Sequence, residues 1–356
     1  MNMSETKIDF SQGLACPIPK SEYDKVLLAH GGGGTLSNKL IGKMFISQFG
    51  NEFLNLQHDG AMFSIGNERV AFSTDTYVVR PIFFPGGDIG ELAVNGTVND
   101  LAMCGARPLY ISVGFVIEEG LSIDELWQIV LSMKRAAVNA GVQIVTGDTK
   151  VVDRGKGDKI FINTSGVGII PAGRNVSPKR CMVGDKIILS GKIAEHGMAI
   201  MSAREGLEFE TQIKSDTVAL NGLVENMFSV DNDIHVLRDP TRGGLSSTLN
   251  EIAASSDAGI LIDETVIPIS EEVKAAAEIL GLDPLYIANE GKLIAIVGSD
   301  KAGAILSEMK KHPLGKDAAI IGEVKETNSG RVIMKTSIGS KRIVDMISGE
   351  QLPRIC

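Results

Sequence analysis

The chain has 356 residues, of which 44% are hydrophobic and 22% are charged, and its formal net charge is −9. This length suits two ordinary domains, and the composition indicates well-filled cores rather than a disordered chain. The negative charge and the absence of a basic block argue against nucleic acid as the main partner. No apolar run reaches the roughly 18 residues that would span a bilayer, so no membrane association is expected.

The N-terminus and the cysteines indicate where the protein works. The first residues, MNMSETKIDF, lack the basic and apolar regions of a secretory signal. The cysteines, at positions 16, 104, 181 and 356, show neither CxxC spacing nor a disulfide framework. We therefore expect a cytoplasmic protein whose thiols stay reduced.

The predicted elements follow an irregular, glycine-rich segment, residues 1–40, that contains HGGGGT. From 41 to 170 strands and helices alternate, which predicts one α/β domain. Its strands are RVAFSTDTYVV, PLYISVGFVI and GVQIVTGDTKVV, and its helices are DIGELAVNGTVNDLAMCGA and the capped, amphipathic SIDELWQIVLSMKRAAVNAG.

A connector rich in proline, glycine and basic residues, IIPAGRNVSPKRCMVGD, indicates a domain boundary near 171. A second α/β domain, residues 171–347, repeats the alternation in DKIILSG, GGLSSTLNEIAASS, GILIDETVIPI, KLIAIV and AAIIGEV. Residues 348–356 are predicted to form a mobile tail that ends in Cys356. Such a tail, fully extended, spans roughly 30 Å, which is enough to carry the thiol into a pocket elsewhere in the molecule.

Three aspartates lie where the side chains of different elements can converge. Asp75 is predicted near the end of one strand, Asp148 at the end of another, and Asp100 within a helix. Mg²⁺ favours one or two carboxylates together with waters and substrate phosphates, so such a set is typical of a nucleotide–metal site. Taken singly, each aspartate is also explained as a turn former or a helix cap.

Three further features suggest phosphate binding, and each has a structural alternative. Lys150, two residues after Asp148, is either a solvated strand-end lysine or a group that holds a phosphate or transfers a proton. Arg242 and Gly243 precede a helix in RDPTRGGL, which is either an ordinary turn or an anion site made by helix N–H groups. The glycines of HGGGGT either surround an anion or form a linker.

The remaining candidates are a carboxylate, a histidine and two cysteines. Glu290 stands before a buried-looking strand and is either a turn residue or a base. His196, in EHGMAI, is expected at a helix start in a structural role. Cys16, in CPIPK, and Cys356 could each be a mobile nucleophile, but both cannot easily be the main one.

An ordered set of motifs covers nearly the whole chain from about residue 30. FSTDTYVV, GTVNDLAMCGARP, VTGDTKVV, GDKIILSG, HGMAI and RDPTRGGL together resemble the aminoimidazole-ribonucleotide-synthetase, or PurM-like, superfamily of ATP-using enzymes. The ending PRIC is similar to the C-terminus of one of its families, the HypE carbamoyl dehydratases of hydrogenase maturation. The resemblance assigns nothing to the residues before about 30, so the role of Cys16 stays open.

The resemblance implies a PurM-like two-domain architecture of the α/β (α+β) class. An N-terminal domain would bind ATP and Mg²⁺ and form a homodimer through its sheet, and a C-terminal α/β domain and a flexible tail would follow. Metal ligation falls to Asp75, Asp100 and Asp148. The implied cofactor contacts are Asp75, Asn99, Asp100, Gly147, Asp148, Thr149, Arg242 and Gly243.

The resemblance also implies a reaction. Cys356 would receive a carbamoyl group from the carbamoyltransferase HypF, and ATP would drive its dehydration to a thiocyanate. The cyanide would pass to the iron of [NiFe]-hydrogenase on a HypC–HypD scaffold. Proton transfer would fall to Lys150 and Glu290. Phosphorylation makes the thiocarbamate oxygen a good leaving group, and holding the reacting group on the enzyme's own chain makes the step intramolecular.

Three alternatives stay open at this point. An aminoimidazole-ribonucleotide synthetase, or another ATP-dependent enzyme of the superfamily, is compatible with the fold, because fold alone does not fix function. A selenophosphate-synthetase-like enzyme of the same superfamily would use a mobile N-terminal cysteine and a lysine, which CPIPK offers, but it leaves PRIC without a purpose. A non-catalytic adaptor would use the tail as a docking peptide. It would need no metal, so that replacing Asp100 and Asp148 would spare its activity.

Overall fold

The computed structural model describes residues 23–206, 212–348 and 355–356. Two predictions therefore fall outside the described residues: Cys16 with the start of the N-terminal segment, and residues 349–354 of the tail. The last two residues of the chain, Ile355 and Cys356, are described. No helix among the described residues is long and apolar enough to cross a membrane.

The first half of the chain forms a five-stranded sheet with helices on one face. Its elements are α1 (Thr35–Leu40), a π-helical continuation (Ile41–Ile46), α2 (Ser47–Phe49), β1 (Ala61–Ile65), β2 (Glu68–Tyr77), β3 (Phe83–Phe84), β4 (Gly87–Asp88), α3 (Ile89–Met103), β5 (Arg107–Glu118), α4 (Ile123–Ala140), β6 (Gln143–Val152) and β7 (Ile160–Ile169). The strand order of the sheet is β1-β2-β7-β5-β6. Its neighbouring strands are antiparallel except β5 and β6, which are parallel.

Helices α3 and α4 begin and end where their sequences predict. The Asp88 side chain caps α3 by accepting hydrogen bonds from the N–H groups of Gly90 and Glu91. Nearly all of α3 is buried because it lies between the sheet and the second half of the chain, which explains its apolar sequence on all sides. Ser122 caps α4, and Gly141 ends it with a left-handed φ of 72°.

The second half forms a seven-stranded mixed sheet with the order β14-β13-β10-β12-β8-β11-β9. Its elements are β8 (Lys186–Leu189), α5 (Glu195–Glu205), α6 (Asn221–Val230), β9 (Ile234–Arg238), α7 (Gly244–Ser256), β10 (Gly259–Asp263), α8 (Glu271–Leu280), β11 (Ile294–Val297), α9 (Ala302–Met309), β12 (Ala319–Lys325), β13 (Val332–Lys335) and β14 (Lys341–Val344). Short 3₁₀ turns complete the described chain at Leu28–Gly31, Leu54–Leu56, Glu264–Val266, Pro284–Tyr286 and Pro313–Gly315.

Both faces of the second sheet are buried, as the central strand β8 illustrates. Ile187 and Leu189 belong to one apolar cluster with residues of α7 and α8, whereas Ile188 belongs to another with residues of α6 and α9. Successive strand residues point to opposite faces, so a continuous apolar run such as KIIL is typical of a strand covered on both sides.

The two halves meet at the end of α3. Ala102 and Met103 of α3 share an apolar cluster with Leu223 of α6 and Leu237 of β9. This packing brings Asp100, one turn earlier on α3, close to the loop that follows β9. The candidate site forms at this junction.

Two local features differ from the sequence-based expectation. Irregular structure was expected up to residue 40, whereas α1 begins at Thr35, because Gly34 ends the glycine run and helix-forming residues follow. Asp148 was expected to end a strand, but it lies inside β6, which continues to Val152. The run of β-branched residues after Asp148 extends the strand along β5.

Candidate functional site

A polar cavity of about 240 Å³ opens between the two halves of the chain. Asp75 of β2 and Asp100 of α3 line it from the first half. Asp239 and Arg242, from the loop between β9 and α7, line it from the second half. Strand, helix and loop thus bring four charged groups from distant parts of the sequence to one place.

The loop that carries Arg242 has a strained and tightly packed backbone. Arg242 has a φ of 45°, in the left-handed region that residues other than glycine rarely adopt. Gly243 follows it directly, and a Cβ at Gly243 would lie 2.7 Å from the Ser247 Cβ. Held in this way, an Arg242 Nη2 lies 3.2 Å from the Asp75 Oδ1. Backbone strain of this kind is common at functional sites, where the surrounding structure fixes it.

The glycine-rich segment also packs against this loop. A Cβ at Gly33 would lie 2.7 Å from the Arg242 Cβ, so only glycine permits the approach. One residue after Gly34, the Thr35 N–H donates to the Ile347 carbonyl over 2.9 Å. The glycine-rich segment, which was predicted to be either an anion loop or a linker, is therefore tightly packed against the rest of the chain. Gly33 and Ser37 line the cavity.

The carboxylates in the cavity oppose one another's ionisation. Burial raises the pKa of the Asp100 carboxyl well above its usual range, and the charges of Asp239, Asp75 and Asp59 raise it further. The Ser73 hydroxyl lies 2.6 Å from the Asp100 Oδ2 and favours the charged form. The cavity therefore concentrates negative charge, which a bound cation would neutralise.

A second group of charges, Asp59, Arg238 and Glu251, lines the same cavity. The Arg238 Nε lies 2.7 Å from the Asp59 Oδ1, and its Nη2 lies 2.8 Å from the Glu251 Oε2. Burial nevertheless raises the pKa of Asp59 to about 8 and that of Asp239 to about 6. One arginine is therefore not enough to balance the carboxylates around it.

Glu290 lies close to Asp75, Arg242 and Cys356 and is only 4% exposed. Its Oε1 is buried without a hydrogen-bond partner among the described residues. Burial raises the pKa of the Glu290 carboxyl well above its usual range, and Asp239 and Asp216 add to the effect. Its backbone is fixed, because its N–H donates to the Asp216 Oδ1 over 3.0 Å.

Asp216 belongs to a buried ion-pair group that supports Glu290. The Lys292 Nζ lies 3.0 Å from the Asp216 Oδ2 and 3.2 Å from the Glu195 Oε2. Burial disfavours a charge on Asp216, but Lys292, His196 and the Glu290 N–H together outweigh it and lower the pKa of Asp216. Asp216 therefore stays ionised, and Lys292 is its charge partner.

The end of the chain enters the site. The Val78 N–H, just after β2, donates to the Cys356 main-chain oxygen over 3.1 Å. The Arg242 guanidinium lies near the Cys356 thiol and favours its ionised form. Burial raises the pKa of this thiol to about 12, and the nearby Glu290 carboxyl adds to the effect. The sulfur thus lies among Arg242, Glu290 and Asp75, a site that a nine-residue tail was predicted to be able to reach.

A larger cavity of about 680 Å³ adjoins the polar one. The two cavities share Asn38, Asp59, Thr74 and Arg242 among their lining residues. Apolar side chains, including those of Phe53 and Phe72, line the larger cavity. A polar cavity that continues into a roomier, partly apolar one suits a ligand with a charged end and a flat, less polar end.

Asp148 and Lys150 lie away from this pocket within one chain. Three strand spacings separate β6 from β2, or about 14 Å. The strand registers place Asp148 in the row of Thr76, on the sheet face opposite to Asp75. The Lys150 Nζ lies 2.7 Å from the Asp148 Oδ2, with both side chains more than two-thirds exposed, at 68% and 70%. The structure therefore does not bring Asp148 to Asp75 and Asp100 in one chain, and Gly147 and Thr149 share its strand.

Asn99 is close to the site but points away from the cavity. Its side-chain nitrogen donates to the Val218 carbonyl over 3.0 Å, and its oxygen accepts from the Leu220 N–H over 2.8 Å. Asn99 also lies 3.3 Å from the Glu290 carbonyl. The Asn99 side-chain amide, which the resemblance assigned to cofactor contact, is thus already hydrogen-bonded to backbone groups. Gly243, by contrast, lines the cavity.

The residues present suit a divalent cation in chemistry but do not form a ready ligand set. Asp75, Asp100 and Asp239 offer only oxygen atoms, which Mg²⁺ prefers. Among the described residues, no three His, Cys, Asp or Glu side chains are arranged to hold a metal ion. A cation at this place would complete its shell with groups from a ligand or water.

Several residues of the site were not singled out from the sequence. Asp239 and Arg238 lie within RDPTRGGL, and their acidic and basic types in a glycine-bearing turn were an available signal. Asp59, Glu251 and Val78 gave no signal, because their place depends on how the two halves pack and on where the chain ends.

Comparison with known proteins shows what this chain is similar to. Models of the AIR synthase related protein match both halves, the N-terminal domain over residues 57–170 and the C-terminal domain over residues 182–335. The carbamoyl dehydratase HypE of Cupriavidus necator is 52% identical over 333 residues, which cover 93% of this chain and 95% of that protein.

Solved structures agree with the sequence relatives. A chain from the crystal structure of a HypE–HypF complex superposes with a TM-score of 0.83 at 49% identity, over 86% of this chain and 99% of that chain. The hydrogenase maturation protein HypE in complex with ATP gives a TM-score of 0.79 at 50% identity, over 93% of this chain and 100% of that chain.

Proposed function

We propose that this chain, which belongs to the carbamoyl dehydratase HypE family, converts a carbamoyl group on the Cys356 sulfur into a thiocyanate at the expense of ATP. The observation that carries the proposal is the place of the Cys356 thiol, which lies close to Glu290 and to Arg242, a residue that lines the polar cavity. A thiol beside these charged groups is where a substrate carried on the chain itself must be.

The reaction has a defined balance. The S-carbamoyl group and ATP become the S-cyano group, ADP, phosphate and a proton. The carbamoyl oxygen leaves with the γ-phosphoryl group, and the nitrogen loses both of its hydrogens as the triple bond forms. Arg242 is placed to stabilise negative charge on the transferred phosphoryl group, and Glu290 to accept a proton from the nitrogen. The raised pKa of Glu290 makes its ionised form a stronger base.

Loading with carbamoyl takes place with Cys356 outside the cavity. A thiol whose pKa is about 12 is almost entirely protonated at neutral pH and is a poor nucleophile. In solvent its pKa returns to the ordinary range of a cysteine, and a transferase can reach it. The relative crystallised as a HypE–HypF complex supports HypF as the carbamoyl donor. HypC–HypD as the acceptor of the cyanide rests on the family resemblance.

ATP is assigned to the two adjoining cavities. The polar cavity with Arg242 and the N-terminal end of α7 suits the phosphates, and the larger one suits the base. The relative solved with ATP supports ATP as the ligand. Asp75 and Asp100 would hold Mg²⁺, which when bound supplies positive charge to the phosphates. Gly243 keeps the wall beside the phosphates free of a side chain.

A homodimer completes the site in this proposal. The outer face of the first sheet carries exposed apolar side chains, including Phe72, Tyr110 and Val116. Its edge strand β6 is exposed along almost its whole length. An exposed edge of this kind is normally covered in the native assembly. The roles predicted for Asp148 as metal ligand and Lys150 in proton transfer, with Gly147 and Thr149 beside them, then depend on a second copy.

The proposal includes the domain roles and the location of the protein. Residues 41–170 form the ATP-binding and dimerisation domain, and residues 171–347 form the second α/β domain. Delivery of Cys356 is the role of residues 348–356. A cytoplasmic location fits the reduced state that the Cys356 thiol needs.

Mass spectrometry of the intact chain tests the function. Incubation with the carbamoylating transferase, its substrate and ATP is expected to add one carbamoyl group and then remove one water, both on the C-terminal peptide. Cys356→Ser removes the acceptor and is expected to show neither change. A carbamoyl group found on another residue, or dehydration in the Cys356→Ser chain, would contradict the proposal.

A further inference from the structure

We infer that His196 is a positioning residue that holds Ile355 and Cys356, here called the terminal dipeptide, in the reactive place. The His196 Nε2 lies 2.5 Å from the Ile355 carbonyl oxygen. Since a carbonyl only accepts hydrogen bonds, Nε2 carries the proton and donates. His196 touches neither the sulfur nor the nucleotide cavity, so it acts through the backbone of the dipeptide. This inference rests on the proposed function only where it concerns the rate of dehydration.

A hydroxyl on the other side of the ring fixes this tautomer. The His196 Nδ1 lies 2.8 Å from the Ser215 Oγ. The Thr217 N–H donates to the same Oγ over 3.1 Å, which leaves the Ser215 hydrogen free to point at Nδ1. Nδ1 therefore accepts and Nε2 donates, as the contact with Ile355 requires. The Phe84 ring packs edge-on against the His196 ring, with 5.6 Å between the ring centroids, and limits rotation of the imidazole.

The contact with Ile355 controls the direction of the reacting side chain. The Ile355 carbonyl belongs to the peptide group that precedes Cys356, and the Val78 N–H binds the oxygen that follows it over 3.1 Å. Two hydrogen bonds thus fix the backbone on both sides of the sulfur-bearing residue. The Ile355 side chain is 4% exposed and belongs to an apolar cluster that includes Tyr77 and Ile200.

One amide connects the position of His196 to that of the reactive groups. Asn289 accepts a hydrogen bond from the Ala194 N–H over 2.7 Å, and it donates to the Pro240 carbonyl over 2.8 Å. Ala194 has a left-handed φ of 70° just before the helix that carries His196. Pro240 precedes the loop of Arg242, and Glu290 follows Asn289 directly. The histidine and the two reactive groups are therefore held by one small network.

Alkylation of the cysteines by iodoacetamide, mapped by peptide mass spectrometry on the full chain, tests the inference without any turnover. A docked Cys356 thiol reacts slowly because it is protonated and only partly exposed. His196→Ala leaves the Ile355 carbonyl buried without a donor, and we expect Cys356 to be alkylated about tenfold faster. His196→Gln can still offer an N–H donor and is expected to stay close to the unsubstituted chain.

Two controls separate undocking from general damage. Cys104 is fully buried and is expected to stay unmodified in every variant that keeps the fold. His235 is another buried histidine, 2.7 Å from the Asp185 Oδ2 and remote from the terminal dipeptide, so His235→Ala is expected to leave Cys356 alkylation unchanged. Equal Cys356 rates in His196→Ala and the unsubstituted chain, with Cys104 protected, would overturn the inference.

A milder variant decides the case if His196→Ala loses its fold. Ser215→Ala removes the group that sets the tautomer and is expected to accelerate Cys356 alkylation several-fold, with Cys104 still protected. The absence of any acceleration there would reject the positioning role.

Single-turnover dehydration of the carbamoylated chain adds the functional measurement. At saturating ATP we expect a slower step in His196→Ala, an unchanged ATP concentration for half-maximal rate, and recovery in His196→Gln. If the unsubstituted chain itself is never dehydrated, the proposed function fails, while the alkylation result still decides whether His196 docks the dipeptide.

Discussion

Two ion pairs of the chain each join an aspartate to a basic side chain and differ in their surroundings. Asp75 and Arg242 lie 3.2 Å apart inside the cavity, and Asp148 and Lys150 lie 2.7 Å apart on the edge strand β6. Near the first pair, burial and neighbouring carboxylates raise the pKa of Asp100. In the second pair, the hydrogen bond from Lys150 lowers the pKa of Asp148.

The difference shows that the residue type alone does not set the chemistry. The cavity holds unbalanced negative charge and buried acids, so it gains from a cation or a charged ligand. In the pair on the edge strand, Lys150 already neutralises Asp148 and both side chains are exposed to solvent. An exposed ion pair contributes little to stability. It can take part in chemistry only if another molecule covers it.

The largest expected effect comes from removing the proposed base, Glu290. Glu290→Gln keeps the shape of the side chain but cannot accept a proton, so dehydration is expected to slow by about 10²–10⁴-fold. Carbamoyl loading should be unchanged, because it takes place outside the cavity. Rapid-quench analysis of the carbamoylated chain measures this step, with the surface variant Glu323→Gln as control. A Glu290→Gln chain that dehydrates at the normal rate would show that another residue is the base.

Subunit mixing tests whether the edge pair works in the second copy. A chain with Asp148→Asn and a chain with Cys356→Ser are each expected to be inactive. If Asp148 of one copy serves the cavity of the other, a mixed dimer contains one complete site, and dehydration returns on mixing after subunit exchange. If the two residues act within one chain, mixing restores nothing. The measurement is S-cyanation of the Asp148→Asn chain, identified by its mass.

Much of the fold was predictable from sequence. The helix over 89–103 and the capped helix over 123–140 follow from periodicity, the Ser122 cap and the Gly141 stop. The predicted fold class, enzyme class and family are confirmed by the relatives and the family models. The ordered set of motifs and the PRIC ending carried that prediction, through their resemblance to the PurM-like superfamily.

The site was predictable only in part, because it depends on packing between distant elements. Asp75, Asp100, Arg242, Glu290 and Cys356 do come together in the structure. Asp148 does not join them, because sequence gives no strand order and therefore no indication that β6 lies three strands from β2. His196 was expected to be structural, since nothing in EHGMAI shows that the end of the chain returns to it.

The pH dependence of dehydration sharpens the contrast between buried and exposed acids. Glu290 must be ionised to accept a proton, and its pKa is raised well above the usual value. The rate of the carbamoylated chain is therefore expected to increase with pH through the raised pKa, beyond the range where an ordinary glutamate is already ionised. The Cys356 thiol does not contribute to this pH dependence, because its sulfur carries the carbamoyl group. Residual activity of Glu290→Gln should not change with pH, and a parallel rise in that variant would assign the profile to another group.

The smallest expected effect concerns stability, and it compares Asp100→Asn with Asp148→Asn. A carboxyl whose pKa is raised in the folded state stabilises the protein below its unfolded pKa, and this contribution is lost as the pH rises through the folded value. Asp100, Asp59 and Asp239 all belong to this class, the last two with pKa values of about 8 and about 6.

Asp100→Asn removes one of these carboxyls and can keep the hydrogen bond from Ser73. We expect the nucleotide-free chain to gain about 0.5–2 kcal/mol in free energy of unfolding at pH 8, and little near pH 4. Asp148→Asn removes an exposed pair and is expected to change the free energy by less than about 0.5 kcal/mol at either pH. Urea unfolding at the two pH values measures both. A clear loss of stability in Asp100→Asn at pH 8 would mean that its carboxylate is already balanced without a ligand.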